Sequence, residues 1–457
     1  MSDPVIVDMF CGAGGEGQGI VTSARKAGID IKLYAINHWQ TAINTHQANF
    51  PDAEHICRDV LDLQPAEVVP GQHVAMGWFS PECTSHSIAR GGKPCDDQSR
   101  CTPFVVLEWL NKLIIDRIII ENVSEFQQWG PLDPETKRPI KERKGEIFDA
   151  YIDMIRALGY TVDYKVLNAA DYGAPTTRRR LFIQAVRVGS DKSILWPEAS
   201  HAKASPNQTL INPLPTWVAA RDIIDWSLPT QIIDERKKPL VENTMKRILR
   251  GIEKYWGECA TPFLVRYNGG DNRVHSLDEP IPVLDTSNRY GLVQPLIMHI
   301  GQTSSKGRVR GVDEPLATVV TKEEACLIEP LFIPQHSCGE VRPTTGPLST
   351  IATKGAIGIV EPLLMSYNGN GRCHPISKPL PPVTTRDRFA LTTPENIRIG
   401  FRMLKPHELA AAQSFPRDYI FTGNRCEVVR QIGNAVCPKM AEALTAGYMR
   451  ELAECAA

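Results

Sequence analysis

The chain has 457 residues, more than one hydrophobic core usually serves, so two domains are expected. Its 42% hydrophobic and 23% charged content is that of a soluble globular protein, and a net charge of −1 excludes a uniformly basic nucleic-acid coat while allowing a local basic cleft. No apolar stretch approaches a membrane span and no signal peptide is read at the N-terminus, so the expected location is the cytoplasm. The 12 cysteines are scattered without a Cys-x-x-Cys pair, which reads as reduced thiols rather than a disulfide framework or a metal site.

Along the first 190 residues strand and helix patterns alternate. Val5-Ile6-Val7-Asp8-Met9-Phe10 is a short apolar strand, followed by a glycine-rich turn and a helical stretch ending near Gly28. Ile31 to Ile36 reads as a second strand, then a polar helical segment runs to Phe50. After the apolar run Val74–Phe79 comes a helix suggested by Leu107, Leu110 and Ile114, and another by Ile147, Tyr151, Met154, Ile155 and Leu158. Arg117-Ile118-Ile119-Ile120 between them has the continuous apolar character of a strand buried on both faces. This is the pattern of a doubly wound α/β sheet.

Two chemistry-bearing residues fall at the ends of such strands. Ser80-Pro81-Glu82-Cys83 follows one apolar run and Glu121-Asn122-Val123 ends another, at the sheet edge where open α/β folds bind ligands. A thiolate that adds to an electron-poor ring, with a carboxylic acid able to protonate that ring, is the equipment for substituting a pyrimidine. Gly12-Ala13-Gly14-Gly15-Glu16-Gly17 fits G-x-G-x-x-G, yet the second strand ends in Asn37 rather than the acid a nicotinamide cofactor expects. Asp8 and Phe10-Cys11 favour a nucleoside cofactor without a pyrophosphate.

Taken in order, Asp8 to Gly15, Ser80 to Cys83, Glu121 to Val123, and Tyr172-Gly173-Ala174-Pro175-Thr176-Thr177-Arg178-Arg179-Arg180 resemble the motifs of DNA (cytosine-5) methyltransferases of bacterial or phage type. Arg402 to Glu408, Gln413 to Pro416 and Gln431 to Val436 complete the set, so the resemblance covers about residues 4–190 and 396–450. It implies a Rossmann-like catalytic domain that binds S-adenosyl-L-methionine through Asp8, Phe10, Gly12, Gly14, Asn37, Trp39, Asp59, Val60, Ser80, Asn434 and Val436. It further implies Cys83 as nucleophile, Glu121 as acid, and Arg178 and Arg180 as holders of the target base or a neighbouring phosphate. Ser85, Arg90 and Lys93, in a polar, basic segment containing glycine, are expected to form a loop closing over DNA. Three departures stand out: Glu82 where a proline is usual, Asn37 for the ribose-binding acid, and Thr176 for a glutamine. None of them removes a group that makes or breaks a bond.

Each feature has a bland counterpart. A cysteine beside an apolar strand is more often a structural residue; pairing with Glu121 reverses this for Cys83, but not for Cys11, Cys57 or Cys95. An arginine run is usually solvated, although in an extended segment Arg178 and Arg180 face one side and Arg179 the other. His86 reads as a hydrogen-bonding or phosphate contact rather than a catalyst.

The domain boundaries expected are 1–190 for the first part of the catalytic domain, 191–395 for an inserted β-rich target-recognition domain, and 396–457 for the second catalytic part. After an irregular connection and a helical stretch near 241–254, four repeats begin at 264. Pro280, Pro315, Pro347 and Pro379 are each followed after six residues by threonine, and after twelve by Leu292, Leu327, Ile359 or Leu391. Each unit reads as a small β-hairpin. The column seven residues before each proline holds Arg273, Arg308, Glu340 and Arg372, and the column five before holds His275, Arg310, Arg342 and His374, a pattern suited to phosphate or guanine contacts. A scaffold or oligomer contact is the bland reading of the repeats.

The function so implied is methyl transfer to carbon 5 of a flipped-out cytosine in double-stranded DNA, through a covalent cysteine adduct, by a monomer without metal or membrane contact. A cognate restriction enzyme is a partner this reading allows. An RNA cytosine-5 methyltransferase and a non-catalytic DNA-binding relative are the alternatives.

Overall fold

The structure, a computed structural model, describes residues 3–81, 97–190, 192–203, 214–229, 231–233, 236–240, 248, 263–266, 274–284, 286, 290–294, 296–299, 309–311, 325–327, 333–334, 357–358, 363–366, 373–375, 389–392 and 400–456. The chain divides into two units: Met1–Ile223 with Asp278–Asn288 and Lys405–Ala457, and Ile224–Leu277 with Arg289–Leu404.

In the first unit β1 (Val5–Met9), α1 (Gly15–Ala27), β2 (Lys32–Asn37), α2 (Gln40–Asn49), β3 (Glu54–Cys57), α3 (Pro65–Val68), β4 (His73–Phe79), α4 (Asp97–Lys112) and β5 (Ile114–Asn122) alternate. They are followed by α5 (Glu146–Ala157), β6 (Tyr160–Asn168) and β7 (Arg179–Arg187). The sheet runs β3-β2-β1-β4-β5-β7-β6. Strands β1 to β5 are parallel and β7 lies antiparallel between β5 and β6. Gly28, at φ 73, ends α1 in the left-handed conformation a side chain would resist. Three helices from the C-terminal segment, α6 (Pro406–Ala412), α7 (Arg425–Asn434) and α8 (Pro438–Ala456), complete the unit.

The two sheet faces bury separate cores. Val7, Met9, Ile118 and Ile120 pack with Trp109 of α4 and Tyr151 of α5, whereas Ile6, Trp78 and Ile119 pack with Ile20 of α1 and Leu444 and Tyr448 of α8. Strand alternation therefore turns Asp8 and Glu121 toward the α1 and α8 face, at the carboxyl ends of β1 and β5. Helix α8 lies close against α1: a Cβ added at Gly19 would sit 2.5 Å from the Ala441 Cβ, and the Ser23 and Thr445 hydroxyls are 2.7 Å apart. The two halves of the fold are thus held by both apolar packing and a buried hydrogen bond.

One element boundary differs from the sequence pattern. Ile114 does not continue α4 but opens β5 and is half-exposed. Beyond Lys112 the apolar residues no longer recur at helical spacing, and the β-branched run that follows satisfies its backbone in the sheet beside β4.

The second unit contains β8 (Gln231–Ile232), then β9 (Phe263–Arg266), β10 (Val274–Ser276) and β11 (Tyr290–Gln294). Next come β12 (Leu296–His299), β13 (Val309–Gly311), β14 (Ala325–Leu327), β15 (Ile333–Pro334) and β16 (Ile357–Gly358). Last are β17 (Leu363–Ser366), β18 (Cys373–Pro375), β19 (Phe389–Thr392) and β20 (Gly400–Met403). The repeats are more than hairpins. The sheets order β10-β9-β11, β13-β12-β14 and β18-β17-β19, so in three repeats the first strand is central and its partners flank it antiparallel. The remaining repeat shows β15 paired with β16 among the described residues. A rung recurs: His275 opposite Leu264 opposite Leu292, Arg310 opposite Ile297 opposite Leu327, and His374 opposite Leu364 opposite Leu391. The five-before basic column thus shares its cross-strand register with the apolar columns. The expected helix near 241–254 lies outside the described residues, save Ile248, which is buried.

Candidate active site

The glycine turn is shaped by backbone. The N–H groups of Phe10 and Cys11 both donate to the Ile36 carbonyl, at 2.9 and 3.2 Å, which bends the chain away from β1 over the end of β2. Phe10 adopts φ 67, an uncommon conformation for a bulky residue and a cost that a ligand-binding turn can justify. Gly14, the N-cap of α1 at φ 82, has no room for a side chain: a Cβ there would lie 2.7 Å from Tyr419 Oη and 2.8 Å from ring carbons of His46 and Phe50. Tyr419 donates its hydroxyl to the Ala13 carbonyl at 2.5 Å, fixing the turn from below. No side chain caps the first turn of α1, so its N–H groups and the positive end of its dipole face the turn.

Around this turn stand the residues expected to border a nucleoside. Asn37 is buried, and its Oδ1 accepts from the Trp39 N–H at 2.9 Å, so this position braces the end of β2 internally. The Arg430 guanidinium lies 4.7 Å from the centre of the Trp39 ring. Asp59 is exposed and caps the Leu61 N–H at 3.1 Å, beside buried Val60. Ser80 receives the Trp78 indole N–H at 3.1 Å and donates its own N–H to the Met9 carbonyl at 3.1 Å. Asn434 ends α7 with its side chain exposed, and Val436 is buried with its carbonyl against Gly15.

At the end of β5, Glu121 is 8% exposed and Arg180 Nε lies 3.0 Å from its Oε1. The contact is an ion pair, and Oε1 accepts no well-aligned hydrogen bond. Asn122 Nδ2 reaches the Pro81 carbonyl at 3.5 Å, tying the end of β5 to the last described residue before 82.

The two arginines divide their labour. Arg179 is exposed, as alternation requires, while Arg178 and Arg180 turn inward. Only Arg180 meets Glu121. Arg178 is buried, with its Nη1 and Nη2 donating to the carbonyls of Leu284 at 3.3 Å, Gly433 at 3.0 Å and Asn434 at 3.5 Å. Burial draws its guanidinium down to about 10, still protonated at neutral pH. Its Nη donors are therefore committed to backbone, while the buried Nε has no hydrogen-bond partner among the described residues, a placement suited to bracing the site rather than gripping a base. Thr176 is buried too, its hydroxyl 3.5 Å from the Pro282 carbonyl, while the Thr177 and Ile281 N–H groups bond across to Ile281 and Pro175.

Several groups escaped the motif reading. Asp8 was expected, but not that it would be wholly buried with both oxygens unpartnered. Glu16, which reads in the sequence as one residue of a glycine turn, is buried beside Asp8. Cys437 donates to Gln413 Oε1 at 2.8 Å, and burial pushes its thiol up to about 11, which leaves it inert. Glu82, Cys83, Ser85, His86, Arg90, Lys93, Arg273, Arg308, Arg342 and Arg372 lie outside the described residues, and of Arg310 only the place in β13 is described.

The family model of C-5 cytosine-specific DNA methylases matches residues 5–449. Type II methyltransferase M.AgeI of Thalassovita gelatinovora is 29% identical over 269 residues, 54% of this chain and 57% of that protein. Type II methyltransferase M.SacI of Streptomyces achromogenes is 27% identical over 219 residues, 45% of this chain and 53% of that protein. The chain thus spans about half the length of the curated relatives it matches. The crystal structure of a Spodoptera frugiperda DNMT2 triple mutant superposes with a TM-score of 0.50 at 14% identity, covering 98% of this chain and 99% of that one, and speaks for the fold.

Proposed function

Because the chain belongs to the C-5 cytosine-specific DNA methylase family, we propose that it methylates carbon 5 of cytosine in double-stranded DNA, using S-adenosylmethionine. The observation that carries this reading is the Arg180–Glu121 pair at the carboxyl end of β5, beside the uncapped first turn of α1. The residues present suit the cofactor: the turn excludes side chains at Gly14, and Asp8 offers carboxyl oxygens that no donor among the described residues satisfies. Phe10, Gly12, Gly14, Asn37, Trp39, Asp59, Val60, Ser80, Asn434 and Val436 would hold it. When bound, S-adenosylmethionine supplies an electrophilic methyl group.

Carbon 5 of cytosine is a poor nucleophile until a thiolate adds at carbon 6. Cys83 is the residue for that addition, following β4 as Glu121 ends the neighbouring parallel strand. Addition pushes electrons into the ring, and Glu121 handles the proton at ring nitrogen 3 while Arg180 fixes the orientation of its carboxyl group. Loss of the carbon 5 proton then expels Cys83 and restores the ring. The base must leave the helix first, at a cost of a few kcal/mol. Ser85, Arg90 and Lys93 are suited to closing over the DNA, and Arg273, Arg308, Arg310, Arg342 and Arg372 to contacting it as part of a target-recognition region. The protein works as a monomer in the cytoplasm of a prokaryote or phage-infected host, with or without a cognate restriction enzyme.

Bisulfite sequencing of plasmid from cells expressing the protein tests this reading. Methylated cytosines at a fixed sequence are expected with the wild type and none with Cys83→Ser. Wild-type protein should also form a covalent adduct with DNA containing 5-fluorocytosine. Methylation of tRNA with none of DNA would favour the RNA alternative.

A further inference from the structure

The cofactor proposed above is a sulfonium cation, and the thioether left after methyl transfer is not. Two buried carboxyl groups beside the glycine turn take no part in the reaction as derived. Asp8 on β1 is 0% exposed, and neither of its oxygens has a hydrogen-bond partner among the described residues. Glu16, in the first turn of α1, is 2% exposed, and the two carboxyl groups repel one another when charged. Gly17 leaves the space between them and α2: a Cβ there would lie 3.4 Å from Asp8 Oδ2 and 3.0 Å from His46 Nε2, itself buried and unpartnered.

Among the described residues, the surroundings supply little positive charge. Burial holds His46 down at about 3, so it is neutral. Cys11 and Tyr419 are pushed up by burial and by these same carboxyl groups, and stay neutral as well. Glu121 adds a further negative charge toward Glu16. Among the described residues the cation that acts on Glu16 is Arg178, which Glu121 shares and whose Nη groups hold three carbonyls. Desolvation accordingly pushes both carboxyl groups well above the usual carboxylate range.

We infer that Asp8 and Glu16 hold a proton in the free protein and release it when a cationic sulfonium nucleoside binds, so that the pair tells the charged methyl donor from its neutral thioether product. The inference rests on the cofactor reading above. The exchange balances: one O–H bond of the pair is given up, the proton goes to solvent, and the cation of the ligand replaces it without a covalent bond to the protein. Adenine, ribose and the amino-acid portion are common to both ligands, so the sulfonium charge is the difference left for the pair to sense.

Calorimetric titration of the wild-type protein between pH 6 and 8, in buffers of different ionisation enthalpy, counts the protons exchanged with each ligand. S-adenosylmethionine is expected to release up to about one proton more than S-adenosylhomocysteine, and its relative affinity to rise with pH toward roughly tenfold per unit, the linkage limit for one proton. In the Asp8→Asn/Glu16→Gln double variant the difference between the ligands should vanish. Equal proton release for the two ligands in wild type overturns the inference while leaving the cofactor reading intact, because both have bound. Failure of either ligand to bind overturns both.

Discussion

Arg178 Nη1 donates to the carbonyl of Gly433 at 3.0 Å, joining the residue before β7 to helix α7 across 255 positions of sequence. The same guanidinium reaches Leu284 and Asn434, so one buried cation ties together all three segments of the first unit. Replacing it leaves these carbonyls without their donor, and hydrogen bonds to charged groups contribute about 1.5–3 kcal/mol each before compensation by water. Arg178→Met is expected to lower the unfolding free energy by about 2–4 kcal/mol in urea titration. Retained stability with abolished methyl transfer would instead assign Arg178 a direct role with the base.

Arg180 faces the acid itself. Its ion pair with Glu121 is largely buried, so Arg180→Ala strands the carboxylate and should cost about 3–5 kcal/mol of stability. Methyl transfer should fall by about 10²-fold or more as Glu121 loses its orientation, and Glu121→Gln should slow turnover by about 10²–10⁴-fold. Cofactor affinity should survive in both. Loss of cofactor binding in Glu121→Gln, with normal turnover at saturation, would contradict the role given to the acid.

His46 makes a pH prediction with a definite sign. It is buried, its Nδ1 is 2.8 Å from His55 Nε2, and burial first and His55 second hold it at about 3 against an ordinary 6.5. The unfolded chain takes up a proton below pH 6.5 that the folded one refuses. The stability is therefore fully present above about 6.5 and is lost as pH falls toward about 3, by about 1.4 kcal/mol per unit. Asp8 and Glu16, raised by burial, act with the opposite sign, since the folded state binds their protons more readily. Comparison with His46→Gln cancels that background. Between pH 7 and pH 5 the wild type should lose about 2 kcal/mol more than the variant; parallel pH profiles would show that His46 is not the group refusing the proton.

How far the sequence foretells this arrangement differs from residue to residue. The parallel strands were legible because Val5 to Val7 and Ile118 to Ile120 are continuous apolar runs that a two-sided sheet requires. Alternation also foretold that Arg178 and Arg180 turn away from Arg179. It said nothing of which partner each would meet, because the carbonyls of Leu284 and Gly433 arrive from segments 106 and 255 residues away. Glu16 was illegible for a related reason: a charge in a glycine turn is ordinarily solvated, and only the packing of Tyr419, His46 and Phe50 against Gly14 reveals how closed this turn is. The repeats were readable as columns, yet a column spacing does not tell a hairpin from a sheet whose third strand crosses to the far edge of the first.

The repeats carry the last prediction. In the first of them His275 is half-buried and shares its rung with Leu264 and Leu292, both fully buried, so the five-before column stands in register with the packed interior of its sheet. Arg310 holds the equivalent rung opposite Ile297, and Arg308 lies two residues earlier. If these units bind DNA, Arg308→Ala or Arg310→Ala should act in one of two ways. An arginine that pairs with phosphate weakens binding to all sequences when replaced and lowers the salt slope by roughly one, whereas an arginine that reads a guanine edge costs about 1–3 kcal/mol and relaxes preference at one position. The shared register predicts a third signature for the five-before column: Arg310→Ala should also reduce thermal stability, and Arg308→Ala should not. DNA affinity by titration at several salt concentrations, with the methylated sequence read by bisulfite, separates these outcomes. Should alanine at Arg273, Arg308, Arg310, Arg342 and Arg372 together leave affinity, salt slope and methylated sequence unchanged, the repeats are scaffold, and target reading must lie between residues 191 and 260.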